Sequence, residues 1–132
     1  MNLESDLTRI LSRLPTAAHG CRCGWVNQVN KGLDAVLSYR YFEKGVEWEC
    51  SLLFTDVVAL RFADEFHHNI ELRKDFDSLV EVLDSSWMRQ LNTTRKLRFD
   101  RVHYRVHLPD VGVYDFIAAS FEERLPVESS VL

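Results

Sequence analysis

The stretch FDRVHYRVHLPDVGVYDFIAASFEE, residues 99–123, decides how this chain is read. Two runs of strand-forming residues flank Pro109-Asp110-Val111-Gly112. Proline pre-sets φ, aspartate favours turns and glycine accepts positive φ, so these four residues suit a hairpin loop. Such a loop sets Leu108 opposite Val113. The register then puts Val102, Tyr104, Val106, Leu108, Val113, Ile117, Ala119 and Phe121 on one apolar face. Arg101, His103, Arg105 and His107 fall on the other face, with Tyr114, Phe116 and Ala118. Asp115 lands on the apolar face opposite Val106. A carboxylate there needs water at a strand edge or an ion pair, for which Arg61 or Arg98 would serve.

His103, Arg105 and His107 recur at every second position, as the solvated side of a half-buried antiparallel sheet does. A second reading adds Tyr114 and Phe116. Two imidazoles, a guanidinium and two rings on one surface would suit an anionic ligand or an acidic partner. Joint metal ligation by His103 and His107 fails on distance, because four residues of strand separate their Cβ atoms by about 13 Å. No metal and no cofactor is expected.

Further upstream, DAVLSYRYFEKGVEWECSLLF reads as another hairpin, closed by the three residues Glu43-Lys44-Gly45. Phe42 then faces Val46 and Arg40 faces Trp48. Val46, Trp48, Cys50, Leu52 and Phe54 form a buried face. Glu47 and Glu49 lie on the wet side with Tyr39 and Tyr41, a half-aromatic, half-acidic surface that would suit a protein partner. A tight turn at Thr55-Asp56 leads into VVALRFAD, completing a three-stranded meander.

Two segments carry helical spacing. Leu3, Leu7, Ile10, Leu11 and Leu14 form a stripe that Pro15 ends, predicting a helix over 2–14. Leu79, Val80, Leu83, Trp87 and Leu91 follow Phe76 at helical intervals, predicting a helix over 75–91 with Asp75 as N-cap, kinked or restarted at Asp84-Ser85-Ser86. The expected fold is therefore α+β. A mainly antiparallel sheet of five or six strands, from residues 35–63 and 98–122, has helices packed on one face, all in a single domain over 1–132.

Composition narrows the function. The chain has 132 residues, and its 46% apolar content is too high for a disordered one. A net charge of −4 makes nucleic acid an unlikely partner and leaves a basic protein as a suitable one. The N-terminus has no signal-peptide pattern, and no segment is long and apolar enough to span a membrane. Three cysteines fit a reducing compartment, so the cytoplasm is expected. His19, Cys21 and Cys23 in HGCRCG lack the paired C-x-x-C spacing of a zinc site, and His67-His68 is a loop doublet. Phosphate-binding, dinucleotide, nucleophile-elbow and zinc-protease motifs do not occur. Alternating Glu47 and Glu49 are solubility residues before they are a catalytic pair. RKLRFDR, from Arg95 to Arg101, is a short basic connection.

Asp56, Val57 and Leu60, then Ser85 and Trp87, then His103, Tyr104, Gly112, Tyr114, Ile117, Ala118 and Ser120 carry a resemblance. Over its C-terminal two thirds the chain resembles a loose group of small bacterial α+β proteins, some classed as polymorphic-toxin immunity proteins. The resemblance implies a binding role and no established enzymatic one. The expected function is thus a cytoplasmic binding protein of immunity or adaptor type, acting by occluding a protein partner. Tyr39, Tyr41, Glu47 and Glu49 come first as binding residues, and His103, Arg105, His107, Tyr114 and Phe116 second. A small-ligand sensor or enzyme using the histidine face, and a structural homodimer, are the alternatives.

Overall fold

The computed structural model describes residues 7–15, 25–64, 78–94, 101–108 and 112–128. The strands are β1 (Leu7–Arg13), β2 (Trp25–Lys31), β3 (Asp34–Glu43), β4 (Val46–Thr55), β5 (Ala59–Asp64), β6 (Ser78–Leu83), β7 (Val102–Leu108), β8 (Gly112–Ala118) and β9 (Ser120–Glu128). A short helix, α1 (Ser86–Asn92), lies between β6 and β7. Sheet 1 has the order β1-β6-β7-β8-β5 and sheet 2 the order β2-β3-β4-β9. Every pairing is antiparallel. The α+β expectation is thereby overturned: two sheets pack face to face, and the fold is nearly all β.

The core lies between the sheets. Sheet 2 contributes Ala35, Leu37, Tyr39, Tyr41, Cys50, Leu52 and Phe54; sheet 1 contributes Leu79, Tyr104, Val106, Leu108, Phe116 and Ala118. At its centre Phe54 stacks on Phe116 with ring centroids 4.0 Å apart. Burial of this apolar surface is the main force joining the layers.

Residues 7–13 of the first predicted helix and 78–83 of the second are strands, for different reasons, while Trp87 and Leu91 of the second do lie in a helix, α1; Leu3, Asp75 and Phe76 lie outside the described residues. The ladder of β1 slips between Ile10 and Ser12. That bulge adds a residue at Leu11, so Leu11 and Leu14 meet the core at a spacing that imitates a helix. In β6 both faces are covered: Leu79 enters the core and Val80 the opposite side, each fully buried. A strand buried on both faces reads as a continuous apolar run without period two. Asp84 then takes a left-handed φ of 50°, and Ser85 caps α1 by accepting from Met88 N at 3.1 Å. The polar triplet 84–86 thus ends a strand and starts a helix, the second of its two expected effects, with a strand and not a helix before it.

Both hairpin registers sit one residue from the expected ones. Glu43 pairs with Val46 across a two-residue turn, Lys44-Gly45, with φ of 53° and 78°. Positive φ at both positions is the hairpin turn whose twist matches the strands. Leu108 pairs with Gly112, placing Arg105 opposite Asp115 and Tyr104 opposite Phe116. A one-residue slip moves every side chain of one strand relative to its neighbour's faces. Tyr39 and Tyr41 therefore lie on the inner side with Cys50 and Trp48, and Asp115 joins the histidines. The expected loop residues 109–111 are outside the described segments.

The predicted meander is also corrected. After Thr55 the chain turns at Asp56, φ 53°, and β5 joins sheet 1 beside β8, not sheet 2 beside β4. The return segment does the same: β8 is in sheet 1 and β9, one residue later, in sheet 2. The two bent segments pair throughout, β4 with β9 and β5 with β8. Ala119 N donates to Thr55 O at 2.9 Å and Val58 N to Ile117 O at 2.8 Å at the bend. Arg101, buried, is ion-paired with Asp56 there.

Candidate functional site

The outer face of sheet 1 carries the most concentrated chemistry. Residues 103, 105 and 107 of β7 and 115 of β8 project from the side away from the core, as their pairing and the inward Tyr104, Val106 and Phe116 require. This face is not wet. His103, Arg105, His107 and Asp115 are each 1% exposed. The polar surface expected from alternation is a buried layer, and Trp87 of α1 lies edge-on to His103, ring centroids 5.2 Å apart.

Asp115 organises the layer. Its Oδ1 accepts from Arg105 Nε at 2.9 Å and lies 2.7 Å from His103 Nε2. Its Oδ2 accepts from Arg61 Nε on β5 at 3.1 Å, and the Arg61 guanidinium also sits 4.0 Å from the centre of the Trp87 ring. Burial alone would raise the Asp115 pKa, but the His103 hydrogen bond and the Arg105 and Arg61 charges outweigh it and hold the carboxyl well below its ordinary range. Burial pushes His103 below its ordinary value, Arg105 and Arg61 push the same way, and Asp115 only partly compensates.

The ionised carboxylate takes the Nε2–H of a neutral His103, which leaves Nδ1 as an acceptor. Ser85 Oγ lies 2.7 Å from that Nδ1 and fits as its donor, while accepting the Met88 N–H. The result is a hydroxyl–imidazole–carboxylate series, Ser85–His103–Asp115. Open to a substrate, such a series activates a hydroxyl. Here Ser85 is 5% exposed and its hydroxyl is engaged on both sides. The series fastens α1 to sheet 1.

The remaining expected site residues separate. Tyr39 and Tyr41 are buried in the core, and Tyr39 Oη donates to Pro15 O at 2.9 Å. Glu47 and Glu49 stay on the other side of the hairpin, with Arg40 Nε donating to Glu49 Oε1 at 2.9 Å. The half-aromatic, half-acidic surface does not form, because the two-residue turn carries the tyrosines inward. Phe116 is fully buried in the core, and half-buried Tyr114 packs against it at the core margin. Neither shares a face with the histidines. His19, Cys21, Cys23 and His67-His68 lie outside the described residues.

A second feature escapes sequence reasoning. An open cleft of about 650 Å³ is lined by Tyr41, Glu43, Lys44, Val46, Trp48 and Pro126. It occupies the tip of the β3–β4 hairpin, on the pleat side that continues from the core. The β4–β9 ladder slips between Glu49 and Ser51, so β9 has one extra residue opposite Cys50. Pro126 sits in that bulge, where a strand tolerates a missing N–H. On the reverse of the tip, Phe42 is 57% exposed. The alternation marked Val46 and Trp48 as apolar, but only the bulge and the distant Pro126 make the cleft. Among the described residues no helix is long and apolar enough to cross a membrane.

Comparison with protein-family models, with curated proteins and with solved structures found no match.

Proposed function

We propose that this chain is a binding protein of immunity or adaptor type that occludes a protein partner with the tip of its β3–β4 hairpin, in the cytoplasm. The observation that carries the reading is the cleft of Tyr41, Val46, Trp48 and Pro126, backed by the exposed ring of Phe42. Aromatic anchors within a charged rim are what binding surfaces use. Glu43 and Lys44 supply the rim at the cleft, and Glu47 and Glu49 remain candidate contacts on the reverse side. The alternative through His103, Arg105 and His107 has no surface to act through, because all three are sealed. A free, buried Cys50 accords with a reducing compartment.

The test is partner capture by tagged protein in the cells that naturally make the chain. Val46→Arg fills the cleft and Phe42→Asp charges its reverse. Leu83→Asp, on a distant margin of sheet 1, is the control. A stoichiometric partner held by wild type and by Leu83→Asp, and lost by the tip variants, supports the proposal. Undiminished capture by both tip variants refutes it.

A further inference from the structure

We infer that the cleft receives a lysine or arginine side chain from a basic segment of the partner; the inference rests on the reading of the hairpin tip as the docking surface. The walls are hydrocarbon and aromatic: Tyr41, Val46, Trp48 and Pro126. Two carboxylates and one cation, Lys44, stand at the rim. Glu43 lines the cleft, and Glu128 pairs with Trp48 across the β4–β9 ladder, which puts it on the same pleat side. On this side the carboxylates Glu43 and Glu128 outnumber Lys44 two to one, while Glu47 and Glu49 lie on the reverse. Arg40 is ion-paired with Glu49 on that reverse side, so the pair adds no net charge at the cleft.

Lysine and arginine match both parts of this surface. Their alkyl stems cover apolar walls while the charged head stays at the rim. Indole and phenol faces attract a cation through the ring quadrupole. An acidic side chain would meet Glu43 and Glu128 at the rim. A wholly apolar one would leave those carboxylates without a counter-charge from the partner. The net charge of −4 adds a long-range attraction for the same class of partner.

The test titrates isotope-labelled full-length chain with hexa-arginine and, separately, with hexa-glutamate, following amide and indole N–H resonances. Hexa-arginine is expected to shift the Trp48 indole and the Val46 amide saturably, with affinity falling as salt rises. Glu43→Lys, at a partly exposed rim position, is expected to weaken that binding about tenfold. Glu43→Gln is expected to lie between, and replaces it if the lysine variant does not fold. Hexa-glutamate shifting the same resonances as strongly would overturn the inference, as would hexa-arginine shifts that pass Trp48 by. If no peptide moves Trp48 but Val46→Arg still abolishes partner capture, the cationic assignment fails and the docking tip stands. If both tip variants retain the partner, the tip itself is the wrong surface and the inference falls with it.

Discussion

Replacing Asp115 by asparagine exchanges one carboxylate oxygen for an NH2 and removes the charge that Arg105, Arg61 and His103 share. Oδ1 serves two donors and Oδ2 one, so either orientation of the amide sets donor against donor. The cheaper one turns the NH2 toward Arg61, which is 23% exposed and can swing to water. Arg105, at 1% exposure, cannot. Removing one partner of a buried ion pair costs about 3–5 kcal/mol, chiefly because the other charge is stranded. Domains of this kind are stable by about 5–15 kcal/mol, so the loss is a large share. Urea unfolding followed by circular dichroism measures it. With a slope of about 1–3 kcal/mol/M the midpoint should fall by about 1 M or more. The pH dependence adds a second readout. Asp115 has a folded pKa below its unfolded value, so its contribution is present above about pH 4 and is lost as pH falls further. The variant should lack that acid component. A loss under about 1 kcal/mol would contradict the claim that this carboxylate neutralises a sealed cationic layer.

Three further outcomes follow from the same geometry. His103 also has a lowered folded pKa, so its contribution is present above about pH 6.5 and lost on acidification below it; His103→Gln should flatten the fall of stability just below about pH 6.5, and an unchanged slope would show that another group titrates there. Trp87→Ala empties the space between Arg61 and His103, with an expected cost of about 3 kcal/mol and faster amide exchange in α1; if exchange in α1 stays as in wild type, Trp87 does not hold the helix. At Gly45, φ 78° with open space around it, alanine meets no clash and pays only for the left-handed backbone, about 1 kcal/mol by thermal unfolding; a neutral result would mean that the turn has changed type.

Much of the strand content was legible. Residues 35–43, 46–55, 102–108 and 112–118 alternate as strands do, and they are strands. Register was not legible, because it depends on how many residues a turn consumes. EKGV supports a two-residue or a three-residue closure, and the choice sends Tyr39 and Tyr41 inward or outward. The histidine face misled for another reason. Alternation shows that His103, Arg105 and His107 share a side; it cannot show that Trp87, sixteen residues earlier than His103, covers that side. The signal was present in Asp115, whose carboxylate demanded a partner among apolar neighbours and found Arg61 and Arg105. The cleft needed Pro126 beside Trp48, a contact between residues far apart in sequence that no local pattern encodes.

The bend at Thr55–Ala59 and Ala118–Ser120 bears on how this molecule yields under load. The same two lengths of chain serve as ribs in both layers, so the layers cannot swing apart like the covers of a book. A force that separates them must first unzip the β4–β9 or β5–β8 ladder, bond by bond, from a free end. Among the described residues β1, β5, β2 and β9 each hold one neighbour, but β5 and β9 belong to the bent segments, so β1 and β2 peel away first. Mechanical unfolding should therefore begin at the amino-terminal side and stall at the woven spine.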